Sequence, residues 1–139
     1  MKKIIKNKEE LAYLAASIAA SLVGGDILAL EGDLGSGKTT FTQNLASALG
    51  VSKTVTSPTF NIMKKYEIRG SGLWLVHMDC YRLMSEDDAI SIGIDEYLGQ
   101  KNIITVIEWP EKIVELLPPE KTKTIKFRYI DENTREIES

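Results

Sequence analysis

The run from Asp26 to Gly50, DILALEGDLGSGKTTFTQNLASALG, constrains the fold more than any other stretch of the chain. Its first third is short, apolar and bounded by glycine, which suits a strand buried on both faces. Gly32, Gly37, Lys38 and Thr39 then fit the phosphate-loop pattern G-x-x-x-x-G-K-[ST]. The remainder predicts a helix closed by Gly50. In this order, glycines let successive backbone N–H groups curl inward around a phosphate, and the following helix adds its positive end. Lys38 reaches the β- and γ-phosphates, and the Thr39 hydroxyl serves magnesium. Gly32, Asp33, Leu34, Gly35, Ser36, Gly37, Lys38, Thr39 and Thr40 are therefore the candidate nucleotide-binding residues.

Around this unit the chain alternates strands and helices. Lys3 to Lys6 suits a short opening strand. Asn7 is placed to cap a helix whose apolar face carries Leu11, Leu14, Ala15, Ile18 and Leu22. NIMKKYEIRG and LWLVHMD are β-like runs around Gly70-Ser71-Gly72, the pattern of an antiparallel hairpin. Ser85 with Asp88 predicts a helix start, and NIITVIEW predicts a buried strand. PEKIVELL predicts a helix opened by proline and stopped by Pro118-Pro119. TKTIKFRYI reads as a late strand, against which the tail DENTREIES either pairs or frays. The expectation is one α/β domain over 1–139, a three-layer phosphate-loop NTPase-like fold with a mixed, partly parallel central sheet.

A phosphate loop works with an acidic residue at the end of a neighbouring strand, which completes the magnesium shell. Glu108, after the apolar run Ile103 to Ile107, fits that place, with glutamate where aspartate is more usual. Magnesium keeps several waters and takes only one or two carboxylates, so the longer arm is tolerable. The alternative is an acid that caps the Pro110 helix. In HMDCYRL, His77, Asp79 and Tyr81 alternate and would project to one side of an extended segment. Asp79 then either orients a water or merely ends a strand beside a satisfied histidine and a core tyrosine. Cys80 points the other way, as a packing residue. Trp74 reads as core; Trp109 is either core or a cover over the nucleotide. Ser57 and Thr59, in TSPTF, form a turn or a switch-like loop over the γ-phosphate.

Composition narrows the setting. A net charge of -3 with scattered basic residues argues against a direct grip on nucleic acid. One cysteine excludes an internal disulfide and cannot build a zinc site alone. The start MKKIIKNKEE has no apolar core of a secretory leader, and no apolar run is long enough to span a bilayer. A cytoplasmic protein with no membrane partner is expected.

Taken together, GDLGSGKTTF, TSPTF, HMDCYRL, SIGIDEYL and IEWPEKI resemble the TsaE family, in order and over nearly the whole chain. The resemblance implies a magnesium-dependent ATPase of the bacterial pathway that installs threonylcarbamoyl on adenosine 37 of tRNAs reading ANN codons. It implies docking on the complex of TsaD and TsaB, with tRNA met only through that complex. It further implies ATP and Mg2+ as cofactors, Lys38 on phosphate, Thr39 and Glu108 on magnesium, and Asp79 and Glu108 as catalytic residues. Ser57, Pro58 and Thr59 would form a nucleotide-sensitive loop. A small-molecule kinase of the phosphate-loop class is the chief rival, although arginines occur only at Arg69, Arg82, Arg128 and Arg135, without a cluster. A GTP switch is less well supported, because the N-K-x-D element that reads guanine is absent.

Overall fold

In the computed structural model, which describes residues 1–58 and 61–139, every strand joins one seven-stranded sheet. The strands are β1 (Lys2–Ile5), β2 (Ile27–Glu31), β3 (Met63–Ile68), β4 (Leu73–Asp79), β5 (Ile103–Glu108), β6 (Thr122–Asp131) and β7 (Thr134–Glu138). Their order across the sheet is β1-β7-β6-β2-β5-β4-β3. β2 runs parallel to both β5 and β6, and β5 runs parallel to β4. The two edges are antiparallel: β3 on β4, and β1 on β7 on β6. The sheet is thus mixed and partly parallel. The tail does not fray; Asp131 and Thr134 pair across a tight reversal, and β7 fills the gap between β6 and β1.

Burial explains this order. β2 and β5 are almost wholly buried, as strands covered on both faces must be, and their sequences are correspondingly apolar without alternation. β6 alternates, with Ile125 and Phe127 inward and Lys126 and Arg128 outward. Helix α1 (Lys8–Ser21) and helix α2 (Lys38–Leu49) cover one face. Leu14, Ala15, Phe41 and Leu45 pack there on Leu28, Leu30, Leu75, Val106 and Phe127. Phe41 and Phe127 meet edge to face, with ring centroids 5.4 Å apart. The opposite face, built on Ile27, Val76, Met78 and Ile107, is closed by the short helix α3 (Glu86–Ser91) and by 3-10 helical segments carrying Ile94 and Ile113. These are the three layers. Among the described residues no helix is long and apolar enough to cross a membrane.

Local capping follows the sequence. The Asn7 side chain accepts from the Glu10 N–H at 2.8 Å, and Ser85 accepts from Asp88 at 3.4 Å. Two expectations are corrected. PEKIVELL is not an α-helix but a 3-10 segment, Pro110–Leu116, broken at Ile113 with φ -134°. Ile113 is fully buried while Val114 is exposed, and the Glu115 N–H donates to the Glu86 carboxylate at 2.9 Å instead of continuing a helix. Tertiary anchoring has displaced a regular turn that β-branched residues support only weakly. Trp74 is not core: it sits at the start of β4 and is 40% exposed.

Because Phe41 ties α2 to the sheet, Phe41→Ala should lower the unfolding free energy by about 3–5 kcal/mol in denaturant titrations. A loss below about 1 kcal/mol would mean that the site collapses without help from this ring.

Candidate functional site

The C-terminal ends of β2, β4 and β5 come out at one edge of the sheet, and the glycine loop leaves β2 there. Gly32 has φ 151°, and a Cβ on it would stand 2.6 Å from the Phe127 carbonyl oxygen and 2.7 Å from Ser36 Oγ. Only glycine fits. Gly37, with φ 103°, turns the chain into α2 and forms its N-cap without a side-chain bond. Its neighbour Ser36 is buried, and Ser36 Oγ has no hydrogen-bond partner among the described residues. Leu34 and Asp33 lie on the outer, exposed side of the loop.

Lys38 opens α2, yet it is only 5% exposed. Its ammonium donates to the Gly32 carbonyl oxygen and lies 3.9 Å over the Trp109 ring. Burial pushes the Lys38 amine below its ordinary range, opposed by the charges of Glu108, Glu111, Asp79 and Asp33. A phosphate arriving here would meet a buried cation.

The carboxylates come from neighbouring strands. Asp79 and Glu108 are register partners at the ends of β4 and β5, both buried, on the sheet face that carries α2. Thr39 Oγ1 stands 3.3 Å from each Glu108 carboxylate oxygen. His77 Nε2 stands 2.6 Å from Glu108 Oε2, inside the sheet–helix interface. Asp79 Oδ1 accepts the Tyr81 N–H at 3.0 Å, which turns the chain outward after β4. Tyr81 is therefore exposed, not core, and its ring meets Trp109 at 4.9 Å. Cys80 faces the opposite core, where burial pushes its thiol up to about 12. It packs and does not react.

One cleft gathers Leu34, Gly35, Gly37, Lys38, Thr39, Thr40, Ser57, Asp79, Glu108 and Trp109. Gly32, Asp33 and Ser36 shape the loop from behind it, and Thr59 lies outside the described residues. Trp109 adopts φ 59°, a left-handed backbone that presents its ring to Lys38. Sequence reasoning missed Arg135, from β7, which also lines this cleft. Its Nη2 donates to the Gly35 carbonyl oxygen at 3.2 Å, its guanidinium stacks 4.6 Å from the Tyr129 ring, and its buried Nε has no partner among the described residues. No local pattern marks it; only the pairing of β7 on β6 carries it to the loop. A second cleft adjoins the first through Gly37, Thr40 and Arg135, and is walled by Asn7, Leu11 and Asn133.

The donor set fits magnesium brought in with phosphates. One carboxylate and one hydroxyl suit a hard cation that keeps its waters, while the loop N–H groups would serve the phosphates that accompany it. Among the described residues no three His, Cys, Asp or Glu side chains converge to hold a metal unaided. Thr39 and Glu108 would hold the ion, and phosphate oxygens would supply the rest of its shell.

Comparison with known proteins shows the family. Residues 5–137 match the family model described as threonylcarbamoyl adenosine biosynthesis protein TsaE. The tRNA threonylcarbamoyladenosine biosynthesis protein TsaE of Bacillus subtilis is 44% identical over 131 residues, which cover 94% of this chain and 79% of the relative. The protein of the same name from Treponema pallidum is 36% identical over 137 residues, covering 99% of this chain and 98% of the relative. The crystal structure of YdiB from Bacillus subtilis superposes with a TM-score of 0.76 at 38% identity, covering 99% of this chain and 82% of that one. The chain belongs to the TsaE family, the proteins of threonylcarbamoyl adenosine biosynthesis.

Proposed function

We propose that this chain binds ATP with magnesium and hydrolyses it in the service of tRNA threonylcarbamoyladenosine biosynthesis, acting on a complex of TsaD and TsaB. The observation that carries the reading is the meeting of Thr39 and Glu108 at 3.3 Å, in a cleft that also holds Lys38 and Asp79. Lys38 leaves the Gly32 carbonyl and Trp109 ring to take the β- and γ-phosphates, where the loop amides and the α2 N-terminus already favour negative charge. Magnesium held by Thr39 and Glu108 would neutralise charge on the phosphate oxygens. Asp79, the register partner of Glu108 and fixed by the Tyr81 N–H, accepts the hydrogen bond of the attacking water. Ser57, which lines the cleft, would face the γ-phosphate. The adjoining cleft behind Gly37, between Asn7, Leu11 and Arg135, receives the nucleoside end.

A protein partner suits the surroundings of the site. Tyr81, Met84, Ile90, Ile92 and Val114 are exposed on segments that pack together beside Trp109. The acidic net charge fits tRNA that is met only through the complex.

Reconstitution of the tRNA modification with TsaD and TsaB, with and without this chain, tests the reading. Multiple turnover should require the intact protein and ATP; equal turnover without it refutes the proposed role. Lys38→Ala should abolish tight nucleotide binding, measured calorimetrically. Glu108→Ala and Asp79→Ala should still bind nucleotide while hydrolysis falls about 100-fold or more. Wild-type rates in either variant would remove that residue from the scheme. Arg135→Ala should weaken nucleotide binding about tenfold, the worth of one charge-assisted hydrogen bond of about 1.5–3 kcal/mol. Unchanged affinity would place Arg135 in loop support alone.

A further inference from the structure

Glu108 stands where a shorter aspartate is more usual, and the extra methylene gives its carboxylate one more torsion to be held. Something must fix that arm if it is to present an oxygen to a cation. Three features converge on the answer. His77 lies one turn of the pleat behind Asp79 on β4, facing α2, and is fully buried. Its Nε2 meets Glu108 Oε2 at 2.6 Å, the length of a strong, charge-assisted hydrogen bond. Its Nδ1 is buried with no partner among the described residues.

The last feature fixes the tautomer. A carboxylate accepts, so the proton of this bond sits on Nε2. A second proton on Nδ1 would bury an N–H donor that nothing among the described residues receives. The imidazole therefore approaches Glu108 as a donor through Nε2. It draws on Oε2, while Thr39 Oγ1 approaches both oxygens from the α2 side. Oε1 is the atom left for a cation.

We propose that His77 is a positioning residue for the metal site: its Nε2–H pins Glu108 Oε2, so that the long glutamate arm presents Oε1 beside Thr39. The role resembles the outer-shell hydrogen bonds that orient metal-binding carboxylates elsewhere, whose loss costs about 10–100-fold in metal affinity or activity. Here the need is greater, because glutamate has more freedom to lose. The inference rests on the reading of Thr39 and Glu108 as the magnesium ligands.

Manganese serves as the probe, with a non-hydrolysable ATP analogue present and free Mn2+ followed by electron paramagnetic resonance. His77→Leu removes the donor and should weaken Mn2+ binding about 10–100-fold. His77→Gln places an amide N–H near the Nε2 position and should restore affinity close to that of the wild type. Equal Mn2+ affinity in wild type and a folded Leu variant overturns the proposal, as does a folded Gln variant as weak as Leu. Should the Leu variant fail to fold, the Gln variant and a second readout decide. His77 is the sole histidine, so nitrogen NMR of the labelled full chain reads its tautomer directly. A proton on Nε2 alone is expected; a proton on Nδ1 overturns the proposal while leaving the nucleotide reading intact. Failure of the wild type to bind Mn2+ with the analogue refutes the magnesium assignment itself, and the inference with it.

Discussion

The contact between Glu108, His77 and Thr39 is the point on which the rest of the site depends. A buried carboxylate is costly unless its oxygens are bonded, and Glu108 sits 4% exposed at the end of a wholly buried strand. It is satisfied from both sides: by an imidazole on the next strand and by a hydroxyl on the first turn of α2. The same three residues therefore lock β4, β5 and α2 together at one edge. Removing any one leaves a buried polar group without its partner, so structural and functional demands on this cluster coincide.

The sheet order makes this convergence possible. β2 lies between β6 and β5, and β4 lies beyond β5, all parallel, so their C-terminal ends open on one side. The helix after β2 crosses over one face, and the residues pointing to that face at the ends of β4 and β5 are the ones that meet its N-terminus. Ligands of open α/β sheets gather at such strand ends for this reason. The antiparallel β6–β7 hairpin adds something the parallel core cannot: it returns the chain across the loop and delivers Arg135 to the Gly35 carbonyl.

Much of this was legible because it is local. The strand–loop–helix unit, the caps at Asn7 and Ser85, and the buried strands ending at Asp79 and Glu108 all carry their signal within a few residues. What escaped is set by long-range pairing. Arg135 sits in a polar tail whose pattern is ambiguous until β1 closes on its far side. His77 could be read as a satisfied core histidine, but only its Nε2 is paired, and with a residue 31 positions away. Pro110–Leu116 is a broken 3-10 helix rather than a regular α-helix because Ile113 and the Glu115 N–H are held by the layer opposite α2. Trp74, in an apolar run, is left half outside because the second position of β4 lies near the sheet end.

Backbone strain falls in the same place. Among the described residues, Ile62 and Trp109 are the only ones other than glycine with positive φ, at 66° and 59°. Trp109 directly follows Glu108, and the Ile62 carbonyl accepts the Asp79 N–H at 2.7 Å. Each such conformation costs about 1–3 kcal/mol and persists only where the surroundings over-determine it. At Ile62 the conformation brings the backbone carbonyl to the end of β4; at Trp109 it swings an indole over the buried lysine. The two strained residues thus bracket the two carboxylates. On the proposed reading, a nucleotide that drew Lys38 away from Trp109 would remove one of the contacts holding that strained backbone in place. The Trp109 segment, stacked on exposed Tyr81, is accordingly the part of the site best placed to carry a change in the cleft to the surface.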